Sequence, residues 1–163
     1  NDCWRKTANF IGGWKKLATE DVVFLEFDEA VWLHFELMWF LGETHIGIDK
    51  RDLIESALAR PRQEAHYSNA DIVRQAATLC FGLIKNHPWR GGNKRTASHL
   101  MLVFLALQGY DLEYDTNEMI EMVLAVESDR LKVDEIENWL RPRVTKITPC
   151  SNYFSSPVHG LIL

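Results

Sequence analysis

The stretch that decides the fold covers residues 72–107 and reads IVRQAATLCFGLIKNHPWRGGNKRTASHLMLVFLAL. Apolar residues recur as pairs at 72/73, 76/77, 79/80 and 83/84, and again at 97, 100, 101, 104 and 107. A spacing of three to four residues is that of one face of an α-helix. The segment therefore predicts two core-facing helices, joined by a loop that contains Pro88 and the Gly91-Gly92 pair, with Gly109 after the second helix.

Further helices are predicted on both sides of this pair. All the predicted helices together lie at 28–41, 49–58, 70–86, 93–108, 115–126 and 133–140. Asp28 is the predicted N-cap of the first helix, and Pro61 is expected to end the second. Ser68 or Asn69 is expected to cap the third, with Asp71 in its first turn.

Apolar residues nearly encircle the segment 28–41, which predicts that this helix is central in the fold. Convincing strand alternation is absent, and a short strand or hairpin is expected only at 21–27 or 63–68. The prediction is an all-α fold in which two central helices flank the loop.

The composition is that of an ordinary globular domain. The chain has 163 residues, of which 47% are hydrophobic and 25% charged, and this argues against disorder, a fibre or a disulfide scaffold. The longest apolar run, residues 100–107, is far shorter than the roughly 20 residues that cross a bilayer. Charged residues interrupt the first twenty positions, so a secretory signal is not expected.

Three cysteines, Cys3, Cys80 and Cys150, stand far apart with no C-x-x-C pair. An odd number at such spacing favours a reducing compartment, hence a cytoplasmic location, and argues against a zinc site. Cys80 lies in an apolar run and is predicted to be a small buried side chain.

The charge is unevenly distributed. The net charge of −5 argues against nucleic acid or an anionic membrane as a partner. However, the 39 residues between Asp71 and Asp111 contain no acid, carry a charge of +5 and leave −10 for the rest. A buried helix pair explains the missing acids but not four bases between positions 85 and 95, which indicate an anion site. The bases of the window are Arg74, Lys85, Arg90, Lys94 and Arg95.

The loop between the two central helices combines three features that suit phosphate chemistry. His87 stands at the end of one helix, and two glycines then let successive N–H groups converge where the next helix begins. Lys94 and Arg95 add full charges, and an arginine grips phosphate oxygens in a bidentate way. A histidine beside such a site is placed to remove a proton from a hydroxyl that attacks the bound group.

The segment from His87 to Ala97 resembles the signature of the Fic/Doc family, H-P-F-x-D-G-N-K-R-T-A in its death-on-curing (Doc) branch. Further similarity lies in Leu33-His34 and at 52–62 and 104–110. The likeness covers residues 22–142, so it implies a Fic-like domain there, with an N-terminal extension at 1–21 and a C-terminal tail at 143–163. Trp4 and Trp14 are expected to be packing residues in the extension.

The resemblance also implies the roles of individual residues. His87 is the expected base, and the phosphate site is expected to comprise Arg90, Gly91, Gly92, Asn93, Lys94 and Arg95. The flap that aligns the target peptide, a place for the short β-hairpin, is expected at Arg60, Pro61, Arg62, Gln63, Glu64, Ala65, His66 and Tyr67.

Two positions favour the Doc branch over AMPylating relatives. Those relatives have Gly where this chain has Lys94, and a second Arg where it has Ser98. Doc proteins resemble kinases: they use ATP to phosphorylate a translation elongation factor, and an antitoxin polypeptide restrains them. This chain has no S/T-x-x-x-E-G/N segment of the kind that silences other family members, so an antitoxin is the expected partner. The alternatives are a silent relative that binds nucleotide or a protein, and an AMPylating transferase.

Two positions depart from the signature. Trp89 replaces the Phe that anchors the loop, which a larger pocket can accept. Gly91 replaces the acid that holds Mg²⁺ on the nucleotide, so a metal ligand is missing and the need for Mg²⁺ is open. Three explanations stand: a weakened or dead relative, a carboxylate such as Glu64 or Asp111 reaching in, or positive charge from Arg90.

The other histidines suggest no metal site by their spacing. His34 is predicted to be a hydrogen-bonded core residue, because it lies in a nearly all-apolar helix. His66 and His99 are predicted to be ordinary polar residues.

Overall fold

The computed structural model describes residues 22–147, and within them the chain forms six helices and two short strands. In chain order these are α1 (Phe27–Phe40), α2 (Arg51–Ser68), α3 (Ile72–Asn86), α4 (Asn93–Leu107), β1 (Tyr110–Leu112), α5 (Thr116–Glu127), α6 (Val133–Leu140) and β2 (Val144–Lys146). The predicted all-α bundle is confirmed, with the helix pair of the opening stretch at its centre.

The core is built around α3 and α4. Twelve of the 15 residues of α4 are buried, and α3 buries nine of its 15. α3 packs against α2, α4 and α6, whereas α4 also contacts α1, α5 and β1. Cys80 is fully buried in this core, as predicted. The loop between the two central helices therefore lies at one end of the best-packed part of the molecule.

The predicted starts of α2 and α3 need correction, because α2 begins at Arg51 and not at Asp49, and α3 begins at Ile72. Asp71 is itself the N-cap of α3, because its carboxylate accepts a hydrogen bond from the Arg74 N–H at 3.0 Å. Ser68 is still helical, and Asn69 ends α2 in the left-handed conformation at φ 49°. Asp115 caps α5 as predicted, accepting hydrogen bonds from two N–H groups of the first turn.

The predicted stop at Pro61 is wrong, because α2 runs through Pro61 to Ser68. Proline removes one helical hydrogen bond but does not clash with residues that follow it. The second half packs against α3, because Pro61 is buried, Arg60 lies against Gly82, and Glu64 lies 3.7 Å from Arg74. Tertiary contacts thus override the local stop signal.

Helix α1 is not central, contrary to the expectation from its all-round apolar pattern. It begins after Glu26, two residues before the predicted Asp28 cap. One face buries Leu33, His34 and Met38, but four large side chains on the other sides are exposed. These are Trp32, Phe35, Trp39 and Phe40.

The small sheet pairs β1 with β2 in antiparallel fashion, with Tyr110 opposite Lys146. It forms at neither predicted place: residues 22–26 have no regular structure, and 63–68 are helical. β2 continues the packed fold beyond residue 142, the predicted end of the domain. The predicted N-terminal extension, with Trp4 and Trp14, and residues 148–163 of the predicted tail lie outside the described residues.

No helix within residues 22–147 combines the length and apolar character needed to cross a membrane.

Candidate functional site

The loop between α3 and α4 turns through two residues in the left-handed conformation. His87 ends α3 at φ 46°, and its N–H donates to the carbonyl of Leu83. Gly92 is the N-cap of α4 at φ 68°. A side chain at Gly92 would be strained by this φ, and its Cβ would also overlap the sulfur of Met38. The φ angle and the contact with Met38 therefore both favour glycine at this position.

Trp89 anchors the loop to the core, as expected for the residue that replaces the family's Phe. Its side chain is 1% exposed and stacks on the ring of His34, with 4.1 Å between the centroids. The Asn93 side chain clamps the same residue, since it accepts from the Trp89 N–H at 2.9 Å and donates to the Trp89 carbonyl at 2.7 Å. The Asn93 side chain is therefore engaged within the loop.

A cleft of about 380 Å³ opens where α4 begins. The exposed side chain of His87 lines it together with all six residues of the predicted phosphate site. The structure thus brings the predicted base and the predicted phosphate residues into one cavity. Its described lining comprises His87, Arg90, Gly91, Gly92, Asn93, Lys94, Arg95, Ser98, Ile120, Val123 and Leu124.

Main-chain N–H groups are left for a ligand at this helix end. The first N–H groups of a helix have no partner inside the helix, and its N-terminus carries a partial positive charge. The N–H of Arg90 is engaged, because it donates to the Gly47 carbonyl at 2.9 Å. Within residues 22–147, the N–H groups of Gly91, Gly92 and Lys94 have no such partner.

Each cation of the cleft is paired with an acid of the chain. Arg90 Nε lies 3.2 Å from Asp49, Lys94 Nζ lies 2.7 Å from Glu127, and Arg95 lies 2.6 Å from Glu43. These acids come from the α1–α2 connection and from the end of α5. An incoming anion therefore competes with carboxylates for the cations of the site.

Helix α5 supplies the wall that the sequence reasoning missed. Ile120, Val123 and Leu124 form its apolar part, and Glu127 stands one turn further on. The hydrogen bond from Lys94 lowers the pKa of Glu127, and the charges of Lys94, His87 and Lys85 act in the same direction. The sequence does contain a signal for this wall, because residues 120, 123, 124 and 127 are spaced to share one face of α5, beside its buried face.

The position of the missing metal ligand is filled by main chain. A Cβ on Gly91 would lie 2.5 Å from the carbonyl oxygen of His45. The acids suggested as substitutes, Glu64 and Asp111, are not among the described residues that line the cleft, and Glu64 lies 3.7 Å from Arg74. The explanation that Glu64 or Asp111 replaces the ligand is therefore wrong.

The donors at the cleft do not fit Mg²⁺. This ion prefers carboxylate and other oxygen ligands. No acid is found among the described residues that line the cleft, and residues 22–147 hold no cluster of three or more metal-ligating side chains. The site thus differs chemically from the metal-binding site that the resemblance implies.

The predicted flap lies in the second half of α2, and none of its residues is among the described residues that line the cleft. Arg60 lies over Gly82 and donates to Asn86 at 3.3 Å, and Pro61 is buried. A β-hairpin is therefore wrong for this segment, because the segment is helical. The residues of the predicted flap that lie in this helix are Arg60, Pro61, Arg62, Gln63, Glu64, Ala65, His66 and Tyr67.

Two histidines are buried beneath the site. His34 is the predicted hydrogen-bonded core residue, since its Nδ1 lies 2.8 Å from the Thr96 hydroxyl. His99 is also buried, which the sequence did not predict. Burial lowers the pKa of His34 and that of His99 to about 4 in each case. Both rings are therefore neutral at physiological pH.

Comparison with known proteins agrees with the fold. No curated protein matches the chain. The model of the Fic/DOC family matches residues 24–105, half of the chain, and this range includes α1 to α4 and the whole loop. The chain therefore belongs to the Fic/DOC family, whose members are generally transferases.

Proposed function

We propose that the chain binds ATP in the cleft and transfers its terminal phosphoryl group to a hydroxyl of a target protein. The observation that carries this proposal is that the exposed His87 lines the same cavity as the first turn of α4. A base and a phosphate-binding helix end facing one space are the two parts that hydroxyl phosphorylation requires.

The cleft suits a nucleotide in size and in the character of its walls. Its volume of about 380 Å³ falls within the roughly 300–1,000 Å³ usual for small-molecule sites. The N-terminus of α4, with Arg90 and Lys94, provides the positive side, where phosphates would lie. The apolar side from Ile120 to Leu124 offers a surface for the base.

In the proposed reaction the hydroxyl oxygen of the target attacks the γ-phosphorus. The imidazole of His87 accepts the hydroxyl proton, the bond between the γ-phosphorus and the bridging oxygen breaks, and ADP leaves. The N–H groups of Gly91 and Gly92 are placed to receive negative charge on the phosphates. Metal ions normally neutralise such charge, and none of the described lining residues is an acid that could hold one, so we propose a weakened activity.

The choice of phosphoryl over nucleotidyl transfer rests on Lys94 and Ser98. Lys94 occupies the wall of the cleft, where the AMPylating signature has glycine. Ser98 donates to the Lys94 carbonyl at 3.1 Å and leaves no second arginine at this helix turn. From the Doc resemblance we propose a translation elongation factor as the target, an antitoxin polypeptide as the partner and the cytoplasm as the location.

A second candidate is a silent family member that binds nucleotide or a partner protein. The three ion pairs of the cleft favour it, because the cations that would hold phosphate are neutralised by Asp49, Glu127 and Glu43. An AMPylating transferase is the third alternative, and Lys94 and Ser98 weigh against it.

Labelled ATP separates the three candidates. The chain is incubated with a bacterial lysate and ATP labelled at the α or the γ position, with His87→Ala and the exposed control His66→Ala in parallel. Label from the γ position that His87→Ala abolishes and His66→Ala keeps supports the phosphoryl transferase. Label from the α position would show nucleotidyl transfer, and nucleotide binding without transfer would favour the silent relative.

A further inference from the structure

The space beside Gly91 is closed to any side chain. A Cβ built there lies 2.5 Å from the His45 carbonyl oxygen and 3.6 Å from the carbonyl carbon. Real Cβ atoms essentially never come within 3.0 Å of such an atom. A carboxylate at this position therefore requires the main chain of His45 to move away.

The segment that carries His45 is fixed to the loop by its own hydrogen bonds. The Gly47 carbonyl accepts from the Arg90 N–H at 2.9 Å. The N–H groups of Asp49 and Lys50 both donate to the Pro88 carbonyl, at 3.0 and 3.1 Å. Gly91 thus belongs to a packed junction between two chain segments, and its lack of a side chain is required by that junction.

The cleft holds cations where a metal-dependent site would hold carboxylates. Arg90, next to Gly91, packs over Gly47, and its Nε lies 3.2 Å from Asp49. Lys94 lines the same cleft, and no described lining residue is acidic. Among the described lining residues the cleft therefore offers cations and main-chain N–H groups to a polyphosphate, and no carboxylate to a divalent cation.

We propose that the cleft takes the nucleotide polyphosphate without a divalent cation, and that Arg90 supplies the positive charge beside Gly91. This inference rests on the proposed function, since it specifies the form of the ligand that the same site binds. A guanidinium is always charged and donates in a fixed fork, which suits it to hold two phosphate oxygens. The acid of Asp49 holds that guanidinium in place until the phosphates replace it.

Calorimetric titration of the full chain with ATP tests the proposal, once with Mg²⁺ and once with EDTA. The expected result is binding in EDTA that is as tight as, or tighter than, binding in Mg²⁺. Binding that is lost in EDTA overturns the inference and leaves the proposed function standing. No binding under either condition overturns the proposed function, and the inference with it.

Matched substitutions test the role of Arg90 in the same titration. Arg90→Gln is expected to weaken ATP binding in EDTA about tenfold, because a charge-assisted hydrogen-bond pair is lost. The control is Arg51→Gln, which removes an arginine paired with Glu55 outside the cleft and is expected to bind like wild type. Equal affinities of the two variants contradict the assignment of Arg90.

The acids give the reciprocal test. Asp49→Asn releases Arg90 from its ion pair and is expected to tighten binding in EDTA a few-fold, about what an exposed pair contributes. The control Glu55→Gln breaks the pair with Arg51 and is expected to leave the affinity unchanged. Weaker binding by Asp49→Asn would show that Asp49 itself serves the ligand, and would overturn the proposed arrangement.

Discussion

Substituting Gly91 by Asp restores the acid of the family signature, and the structure predicts that it destabilises the protein. The new Cβ would lie 2.5 Å from the His45 carbonyl oxygen, about 0.9 Å short of the 3.4 Å at which ordinary contacts begin. Because the obstacle is main chain, a segment of the loop must shift. Overpacking of this kind costs about 1–3 kcal/mol in free energy of unfolding.

Thermal unfolding followed by circular dichroism measures this cost. A loss of 2 kcal/mol is expected to lower Tm by roughly 6 °C, at about 3 °C per kcal/mol for a chain of this size. Gly91→Ala, which adds the Cβ without the carboxylate, is expected to lose a similar amount.

Gly42→Ala is the matched control, because a Cβ there meets nothing within 4 Å and its φ of 70° carries the strain. It is expected to lose only the conformational cost, about 1 kcal/mol. If Gly91→Ala and Gly91→Asp both unfold at the wild-type temperature, the junction with His45 is not packed as described. A gain of Mg²⁺-dependent ATP binding by Gly91→Asp would equally show that the segment gives way.

Three further predictions follow from the residues around the loop. The pKa of each buried imidazole, His34 and His99, is about 4, so the unfolded chain binds protons between pH 6.5 and 4 that the folded chain does not. The free energy of unfolding is therefore unaffected by these histidines above pH 6.5 and falls below it, by up to about 1.4 kcal/mol per histidine per pH unit. Urea unfolding at pH 7 and pH 5 measures this loss. A His99→Asn variant with an unchanged pH slope would contradict the prediction. Glu127→Gln releases Lys94 from its ion pair and is expected to tighten ATP binding up to about fivefold, which is what one exposed ion pair contributes. Calorimetric titration measures the affinity, and an unchanged affinity would contradict the prediction. Trp89→Phe is expected to keep the free energy of unfolding within about 1 kcal/mol of wild type, because the lost ring volume is offset by removal of a buried indole N–H that has no hydrogen-bond partner in the described chain. Trp89→Ala is expected to lose about 3–5 kcal/mol in urea unfolding. An unchanged stability of Trp89→Ala would refute the anchoring role.

Local pattern was sufficient to predict the centre of the fold. The period of three to four in residues 72–107 reflects burial on one helix face, and α3 and α4 bury the faces that it indicated. The glycine after α4 and the aspartate cap of α5 act through main-chain geometry and hydrogen bonds close in sequence. Such signals are readable because their physical cause is local.

The errors concern features that depend on distant contacts. Pro61 is a strong local stop, yet α2 continues past it and packs its second half against α3. The all-apolar α1 indicated burial on every side, but Trp39 is 80% exposed. Periodicity gives the face that packs and not the number of elements available to cover the others.

The same distinction holds for the site. The motif was sufficient to predict that His87 and the residues from Arg90 to Arg95 line one cavity, because they are nearly contiguous around a single loop. Glu127 could not be assigned to it, because α5 reaches the cleft only through tertiary packing. The carbonyl of His45 carries no sequence signature at all, since any residue supplies one.

The most direct test of the central claim, that the first turn of α4 binds nucleotide phosphates, is an NMR titration of the ¹⁵N-labelled chain with ATP. The account predicts saturable shifts of the main-chain N–H signals of Gly91, Gly92, Asn93 and Lys94, with signals of α6 unmoved. Saturable shifts that leave these four signals unchanged and appear on another face would contradict it, and so would the absence of any shift.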